Sequence, residues 1–218
     1  PELGAVGAGW STAAAWWIMF GCMSVYVIFN RPLKAFDLLG RFDRPNVRII
    51  LDLLKLGLPI GLSLILEVGM FAVTTLLIGG LGTNILAGHQ VALNAAAMTF
   101  MVPLGLSIAT TVRVGQLVGQ GNFIDARFSG LTSLVISVVI MTSASLVLVC
   151  FPTAIAGLYT NDPQVKAIAV KLLMMAAIFQ IFDGLQVVAI GALRGLKDTR
   201  MPMLFNLISY WVVGLPIG

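Results

Sequence analysis

The chain has 218 residues, of which 59% are hydrophobic and 10% charged, with a formal net charge of +4. Soluble domains carry about 25% charged residues, so this composition excludes an ordinary soluble fold and points to a polytopic membrane protein. The positive balance does not indicate nucleic acid, because the basic residues cluster in a few short connections without a Gly-rich phosphate loop or a basic stripe interleaved with aromatics.

A membrane-spanning helix needs about 20 mainly apolar residues. Six such runs are predicted, at roughly 10–30, 53–80, 85–112, 129–158, 165–193 and 201–218. They are too long for barrel strands and show no ten-residue alternation, so the expected fold class is an all-α polytopic membrane protein with six transmembrane helices. The chain opens with PELGAVGAGW, without an initiator Met or a basic-then-apolar signal, and stops inside an apolar run at WVVGLPIG. An internal piece of a longer polypeptide is therefore expected.

The connections carry a regular charge pattern. The first holds Arg31, Lys34, Arg41, Arg44 and Arg48, the third Arg113 and Arg127, and the fifth Arg194, Lys197 and Arg200. The second (GGLGTN) and fourth (LYTNDPQ) contain no basic residue. Positive charge concentrates on the cytoplasmic side, so 31–52, 113–128 and 194–200 are expected in the cytoplasm of a multi-pass protein, here of the cell's inner membrane.

Two acids break the apolar pattern. Glu67 lies in the second run and Asp183 in the fifth, whereas the other seven acids fall in or beside polar connections. A charge at the bilayer centre costs from about 3 to more than 10 kcal/mol, so such residues usually face a cavity and serve ion or substrate movement. Glu67 is twelve residues after Lys55, and Asp183 twelve after Lys171. Glu67 is also thirteen residues before Gly80 and Asp183 eleven before Arg194, so at 1.5 Å per residue each lies roughly 17–19 Å from these flanking landmarks, near the midplane.

Helical neighbours lie three and four residues apart. Ser63, Met70, Phe71 and Thr74 share the face of Glu67, and Phe179, Gln180, Gln186 and Val187 share that of Asp183. Gln90 and Asn94 are four apart on the third span, beside His89. Such walls suit a lipophilic cation, held by apolar contact and one carboxylate. Ser63, Met70, Phe71, Thr74, Gln90, Asn94, Phe179 and Gln180 are thus the substrate-cavity candidates, and Glu67 and Asp183 the ion-coupling and cation-binding candidates. Interhelical hydrogen bonding is the structural alternative for Ser63, Thr74, Gln186, Asn94, Gln90 and His89, worth about 0.6 kcal/mol per bond.

Away from water the charged form of a carboxyl is disfavoured unless a cation compensates it. Glu67 and Asp183 can therefore exchange a proton or hold Na⁺ with nearby oxygens. An ion that competes with a cationic substrate for the same carboxylate must alternate with it, which is the physical basis of antiport. Pro59, Pro103 and Pro152 supply breaks or kinks suited to rocking helices. The pairs Gly57–Gly61 and Gly115–Gly119 suit close helix packing. Cys22 and Cys150 have no metal-ligand spacing and read as small buried hydrophobes. A single histidine excludes a multi-histidine metal site within the chain.

Three stretches carry a family resemblance: LGLPIGLSLILEVGMFAVTTLLIGGLGTNILAGHQVALN, FMVPLGLSIATTVRVGQLVGQG, and FDGLQVVAIGALRGLKDTRMP with the following NLISYWVVGLPIG. They resemble, in order, segments of the multidrug and toxic compound extrusion family, in particular its bacterial NorM-type branch. The resemblance runs from about Leu54 to Gly218, and the opening P-x-LGAVGAGWST resembles the end of the fifth helix of that family's first lobe. It implies that the six spans are the sixth to eleventh helices of a twelve-helix, two-lobe protein. Residues 1–30 would close the N-terminal lobe, 31–52 form the cytoplasmic linker, and 53–218 make an incomplete C-terminal lobe.

The resemblance further implies secondary active efflux of cationic lipophilic drugs or metabolites, driven by Na⁺ or H⁺ antiport with alternating access of the lobes. It implies no cofactor beyond the coupling ion, which acids at the positions of Glu67 and Asp183 would bind. The partners implied are the cationic substrate, the lipid bilayer and the remaining half of the same polypeptide. An aromatic one turn before the second acid contributes in some members; here it is Phe179, without a hydroxyl. The family's first helix, with its own coupling acid, has no counterpart in this chain.

Rival readings are weaker. A lipid-linked oligosaccharide flippase of the same wider fold would need a cationic cavity for pyrophosphate, and the mid-membrane charges here are negative. An intramembrane aspartyl protease needs matched acid motifs at close range, which ILEVG and IFDGL do not offer, so an enzyme is not expected. A non-transport scaffold subunit would have no need for two mid-membrane acids.

Overall fold

A computed structural model describes residues 4–29 and 46–217, all in helices and the short turns between them. In chain order they are α1 (Gly4–Phe29), α2 (Val47–Gly79), α3 (Thr83–Gly119), α4 (Phe123–Cys150), α5 (Pro152–Tyr159) and α6 (Pro163–Gly195). A final run comprises α7 (Arg200–Asn206), a π-helical segment (Leu207–Gly214) and α8 (Leu215–Ile217). The molecule divides into two compact units, Pro1–Ile50 and Leu51–Gly218. The first contains α1, whose long apolar side chains are exposed along its length, among them Trp10, Trp17 and Phe20. Arg31, Lys34, Arg41 and Arg44 of the predicted linker lie outside the described residues.

Among the described residues, five helices are long and apolar enough to cross a membrane: 9–29 within α1, and the whole of α2, α3, α4 and α6. The predicted sixth span is helical as well, but its hydrogen bonding widens to the π pattern over Leu207–Gly214, so it is not one regular α-helix. The fold is that of an all-α membrane protein.

The helices at Gly4, Val47 and Phe123 each begin six residues before the apolar runs predicted at 10, 53 and 129, and two further boundaries differ from the sequence expectation. The fourth run breaks at Phe151, and Pro152 starts α5 as its first residue, the position at which proline's missing N–H costs nothing. The third helix continues through Arg113 to Gly119, so the connection shrinks to 120–122. At 1.5 Å per residue a 37-residue helix is about 55 Å long, well beyond the ~30 Å hydrocarbon core. Hydropathy marks where the lipid ends; the helix itself ends at Gly119, and the chain turns at Gly121, whose φ of 75° favours glycine. Asn122 then caps α4 by accepting from the Asp125 N–H, and Asp162 caps α6 by accepting from Gln164 and Val165.

The second unit is organised about α6. Helices α3 and α6 run parallel in a nearly constant register of 80 residues: Asn84 meets Gln164, Thr99 meets Gln180, Ser107 meets Val187 and Thr111 meets Gly191. Helix α4 crosses α6 antiparallel, with Ser137 donating to the Gly184 carbonyl and Ser145 to that of Ala177.

Inside and outside are inverted relative to a soluble core. Buried positions on α3, α4 and α6 are mostly Gly, Ala, Ser and Thr, while Phe, Ile, Leu and Val dominate the exposed surface. Lipid tails are as apolar as leucine, so helices gain from close approach of small residues and from interhelical hydrogen bonds. A cluster of Ala92, Ala95, Leu148, Ala156, Ala169, Leu173 and Ala177 closes one end of the bundle, and Val114, Leu117 and Ala126 close the other. The two cysteines are free and exposed. That corrects the expectation of buried positions, since on a lipid-facing surface an exposed thiol is still in an apolar medium.

Candidate functional site

Glu67 and Asp183 line the same cavity. It encloses about 280 Å³ and is bounded by Glu67, Val68 and Phe71 of α2, by Leu93, Ala96, Ala97 and Phe100 of α3, by Met141 of α4, and by Phe179, Gln180 and Asp183 of α6. Apart from the two acids and the Gln180 amide, every lining side chain is apolar. Both acids are half-buried. Neither makes a hydrogen bond or ion pair with another described residue; the one ion pair among those residues joins Lys55 and Asp52 at 3.5 Å on the surface. The two carboxyls lie within electrostatic reach of each other, and Arg194, in the last turn of α6, lies within reach of Glu67.

The positions follow from the helices. Leu66 is tied to the final run, where the Trp211 indole N–H donates to its carbonyl at 3.1 Å. Gly69 admits the same ring, with 3.3 Å between Trp211 and the site of an added Cβ. On α6, Gln186 donates to Asn206 at 3.2 Å and to the Tyr210 hydroxyl at 3.1 Å, which fixes the final run against the helix carrying Asp183. Tyr210 sits within electrostatic reach of both acids.

Of the sequence candidates, Glu67, Phe71, Phe179, Gln180 and Asp183 converge on the cavity. Ser63 is buried and donates back along its own helix to the Pro59 carbonyl at 2.9 Å. Met70 packs beside Gly214 of the final run. Thr74 and Gln90 do not line the cavity. Asn94 lines a second, more open cavity with Met98, Met101 and Tyr159, and Ala97 is common to both. On α3 the two cavities use neighbouring stripes, 93–96–97–100 and 94–97–98–101, so a one-residue shift separates them. Leu93, Ala96, Ala97, Phe100 and Met141 escaped sequence reasoning because nothing distinguishes an apolar cavity wall from an apolar lipid face. Thr99 and Tyr210 carried a signal, as polar residues in apolar runs.

Among the described residues no three of His, Cys, Asp and Glu group as a metal site. Two carboxyls in an apolar cavity can hold one monovalent cation or a proton, or one positive centre of an organic ligand. The sequence comparisons bear on the choice, since the MatE family's sequence model matches residues 59–218. The chain belongs to the MatE family.

Two similar proteins are multidrug resistance proteins by name. The Multidrug resistance protein NorM of Photobacterium profundum is 40% identical over 218 residues, covering 100% of this chain and 48% of the relative. The Probable multidrug resistance protein NorM of Xanthomonas campestris pv. campestris is 42% identical over 217 residues, covering 100% of this chain and 47% of the relative. The chain thus spans about half the length of the curated relatives it matches.

Proposed function

We propose that this chain supplies the cation-binding half of a secondary antiporter that exports cationic lipophilic compounds in exchange for Na⁺ or H⁺. The observation that carries the reading is the meeting of Glu67 and Asp183 in one otherwise apolar cavity. Mid-membrane carboxylates without a fixed counter-ion are costly unless they serve ion or substrate movement. The apolar wall takes a lipophilic body, and one positive centre satisfies the carboxyls.

Coupling follows from competition. A site that binds either the organic cation or the inorganic ion lets each displace the other, and the linkage is reciprocal. Alternating access by two lobes turns that exclusion into exchange, with Pro59 and Pro103 inside α2 and α3 each removing a backbone hydrogen bond and so easing a bend there. The relatives' names speak of multidrug resistance, in keeping with a cavity that has few directional contacts. A flippase for a pyrophosphate-linked lipid would need cationic groups where this cavity has acids.

The test is ethidium efflux from inner-membrane vesicles carrying the full-length parent, with Na⁺ and proton gradients imposed separately. Glu67→Gln and Asp183→Asn are each expected to lower gradient-driven efflux at least about 100-fold at matched expression, the scale of losing a charge-assisted contact of roughly 3 kcal/mol. Efflux at the parent's rate in both variants would sink the reading.

A further inference from the structure

Where the short turn 120–122 joins α3 to α4, the two helices form a polar cavity of about 300 Å³. Arg113 of α3 lines it with Asp125, Phe128, Ser129, Thr132 and Ser133 of α4. It shares no residue with the cavity of Glu67 and Asp183.

Its charges are not spent on each other. Arg113 and Asp125 face the same space without forming an ion pair, since the one ion pair among the described residues joins Lys55 to Asp52. Arg113 makes no hydrogen bond with another described residue, and neither does the Ser129 or the Thr132 hydroxyl. The Asp125 carboxylate accepts one bond, from the Asn122 amide at 2.7 Å, whereas a carboxylate has room for about four.

Depth in the bilayer identifies what these groups meet. Along the α3–α6 register Pro103 stands level with Asp183, and Ser137 of α4 bonds the Gly184 carbonyl beside it. Arg113 is ten residues beyond Pro103, while Ser129 and Asp125 are eight and twelve before Ser137. At 1.5 Å per residue Ser129, Arg113 and Asp125 lie about 12, 15 and 18 Å from the midplane, at the edge of a ~30 Å hydrocarbon core. All three are on the side of the basic connections. The order outward is hydroxyl, cation, anion. A phospholipid presents, in the same direction, ester oxygens, a phosphate and then the head-group substituent. Guanidinium matches phosphate oxygens with paired donors, and basic pockets between membrane helices take lipid head groups. An anionic substituent would meet Asp125 with like charge. A primary ammonium would meet it with opposite charge and donate hydrogen bonds.

We propose that this cavity binds a zwitterionic phospholipid with a phosphoethanolamine head group, its phosphate on Arg113, its ammonium on Asp125 and its ester oxygens beside Ser129. The surrounding leaflet is the source. Nearer the midplane, Ile108 and Val112 of α3 and Leu131 and Val135 of α4 are exposed and apolar, a surface suited to acyl chains. The site does not depend on the antiport reading.

The experiment measures binding of acyl-chain-labelled phosphatidylethanolamine, phosphatidylcholine and phosphatidylglycerol to the delipidated full-length parent in detergent. Phosphatidylethanolamine is expected to bind about tenfold or more tightly than the other two, the scale of one charge-assisted hydrogen bond. Arg113→Gln should weaken that binding by a similar factor. Asp125→Asn should abolish the preference and raise phosphatidylglycerol to at least the affinity of phosphatidylethanolamine, because it leaves the arginine unopposed. Arg127→Gln removes a basic charge at the same end of the bundle without touching the cavity, and should change none of the three. The comparison with phosphatidylcholine, whose quaternary ammonium has no N–H, needs no variant and so stands even if a variant fails to fold. Equal binding of those two lipids by the parent overturns the proposal. Tighter binding of phosphatidylglycerol by the parent, or a preference that survives Asp125→Asn, overturns it too. Soluble glycerophosphoethanolamine should compete only at far higher concentration than the lipid; equal competition would make the ligand a soluble head group and overturn the lipid assignment.

Discussion

At Gly191 a single methyl group would collide with the neighbouring helix. A Cβ there would lie 2.5 Å from both the backbone carbonyl oxygen and the hydroxyl of Ser107, on the seam between α3 and α6. Backbone cannot step aside as a flexible side-chain tip can, so Gly191→Ala must push the helices apart. It would strain the bonds from Ser107 to the Val187 carbonyl and from Thr111 to the Gly191 carbonyl. Overpacking costs about 1–3 kcal/mol, and the thermal midpoint of the detergent-solubilised protein should fall accordingly. Gly105 is the internal control. It is also on α3, but nothing lies within 4 Å of its added Cβ. Gly105→Ala should be neutral or stabilising by up to about 1 kcal/mol, because alanine restricts the unfolded chain without a clash. If the two variants melt together, the close seam is not where stability resides.

Helix α2 carries Glu67, and the Trp211 indole bond to Leu66 holds it beside that residue. Trp211→Phe removes the bond and keeps an aromatic ring. An interhelical bond in a membrane averages about 0.6 kcal/mol, roughly a threefold shift in how often α2 sits docked. A cysteine pair at Met70 and Gly214, where the Met70 methyl lies 3.5 Å from the site of an added Cβ, should be joined by a short bifunctional thiol cross-linker to a correspondingly smaller extent in the Trp211→Phe background. Equal yields would mean that other contacts set the position of α2. This docking was only partly legible in the sequence. The acid of α2 stood out because charge in an apolar run is expensive, but its partner Trp211 looks like any lipid-facing aromatic. The break at Phe151 was masked for the same reason, since apolar residues continue on both sides of Pro152. Local hydropathy reports the medium a residue meets. It does not report the hydrogen-bond pattern, so the π-helical turn at 207–214 left no trace either.

At the scale of the bundle in the second unit, two independent lines meet on one topology. Connections alternate between basic and non-basic, which places alternate spans in opposite directions across the membrane. The packing gives the same polarity without reference to charge: α3 and α6 are parallel and α4 is antiparallel to both. The alternating direction of α3, α4 and α6 was legible because it depends on short stretches of chain, whereas the count of six spans exceeded the five found among the described residues, and the meeting of Glu67 with Asp183 depends on residues 116 positions apart and needed the folded bundle. The topology can be tested as a unit in a full-length parent with Cys22 and Cys150 replaced by serine. The pair Asn84→Cys and Gln164→Cys replaces side chains that meet at 2.8 Å and should cross-link readily, whereas Asn84→Cys with Arg194→Cys, at opposite ends of the parallel pair, should not. A membrane-impermeant maleimide should label Asn161→Cys on intact cells and reach Gln120→Cys only after permeabilisation. A cross-link without that labelling order would keep the parallel bundle and invert its orientation. Labelling in that order without the cross-link would keep the orientation and remove the α3–α6 register on which the cavity depends.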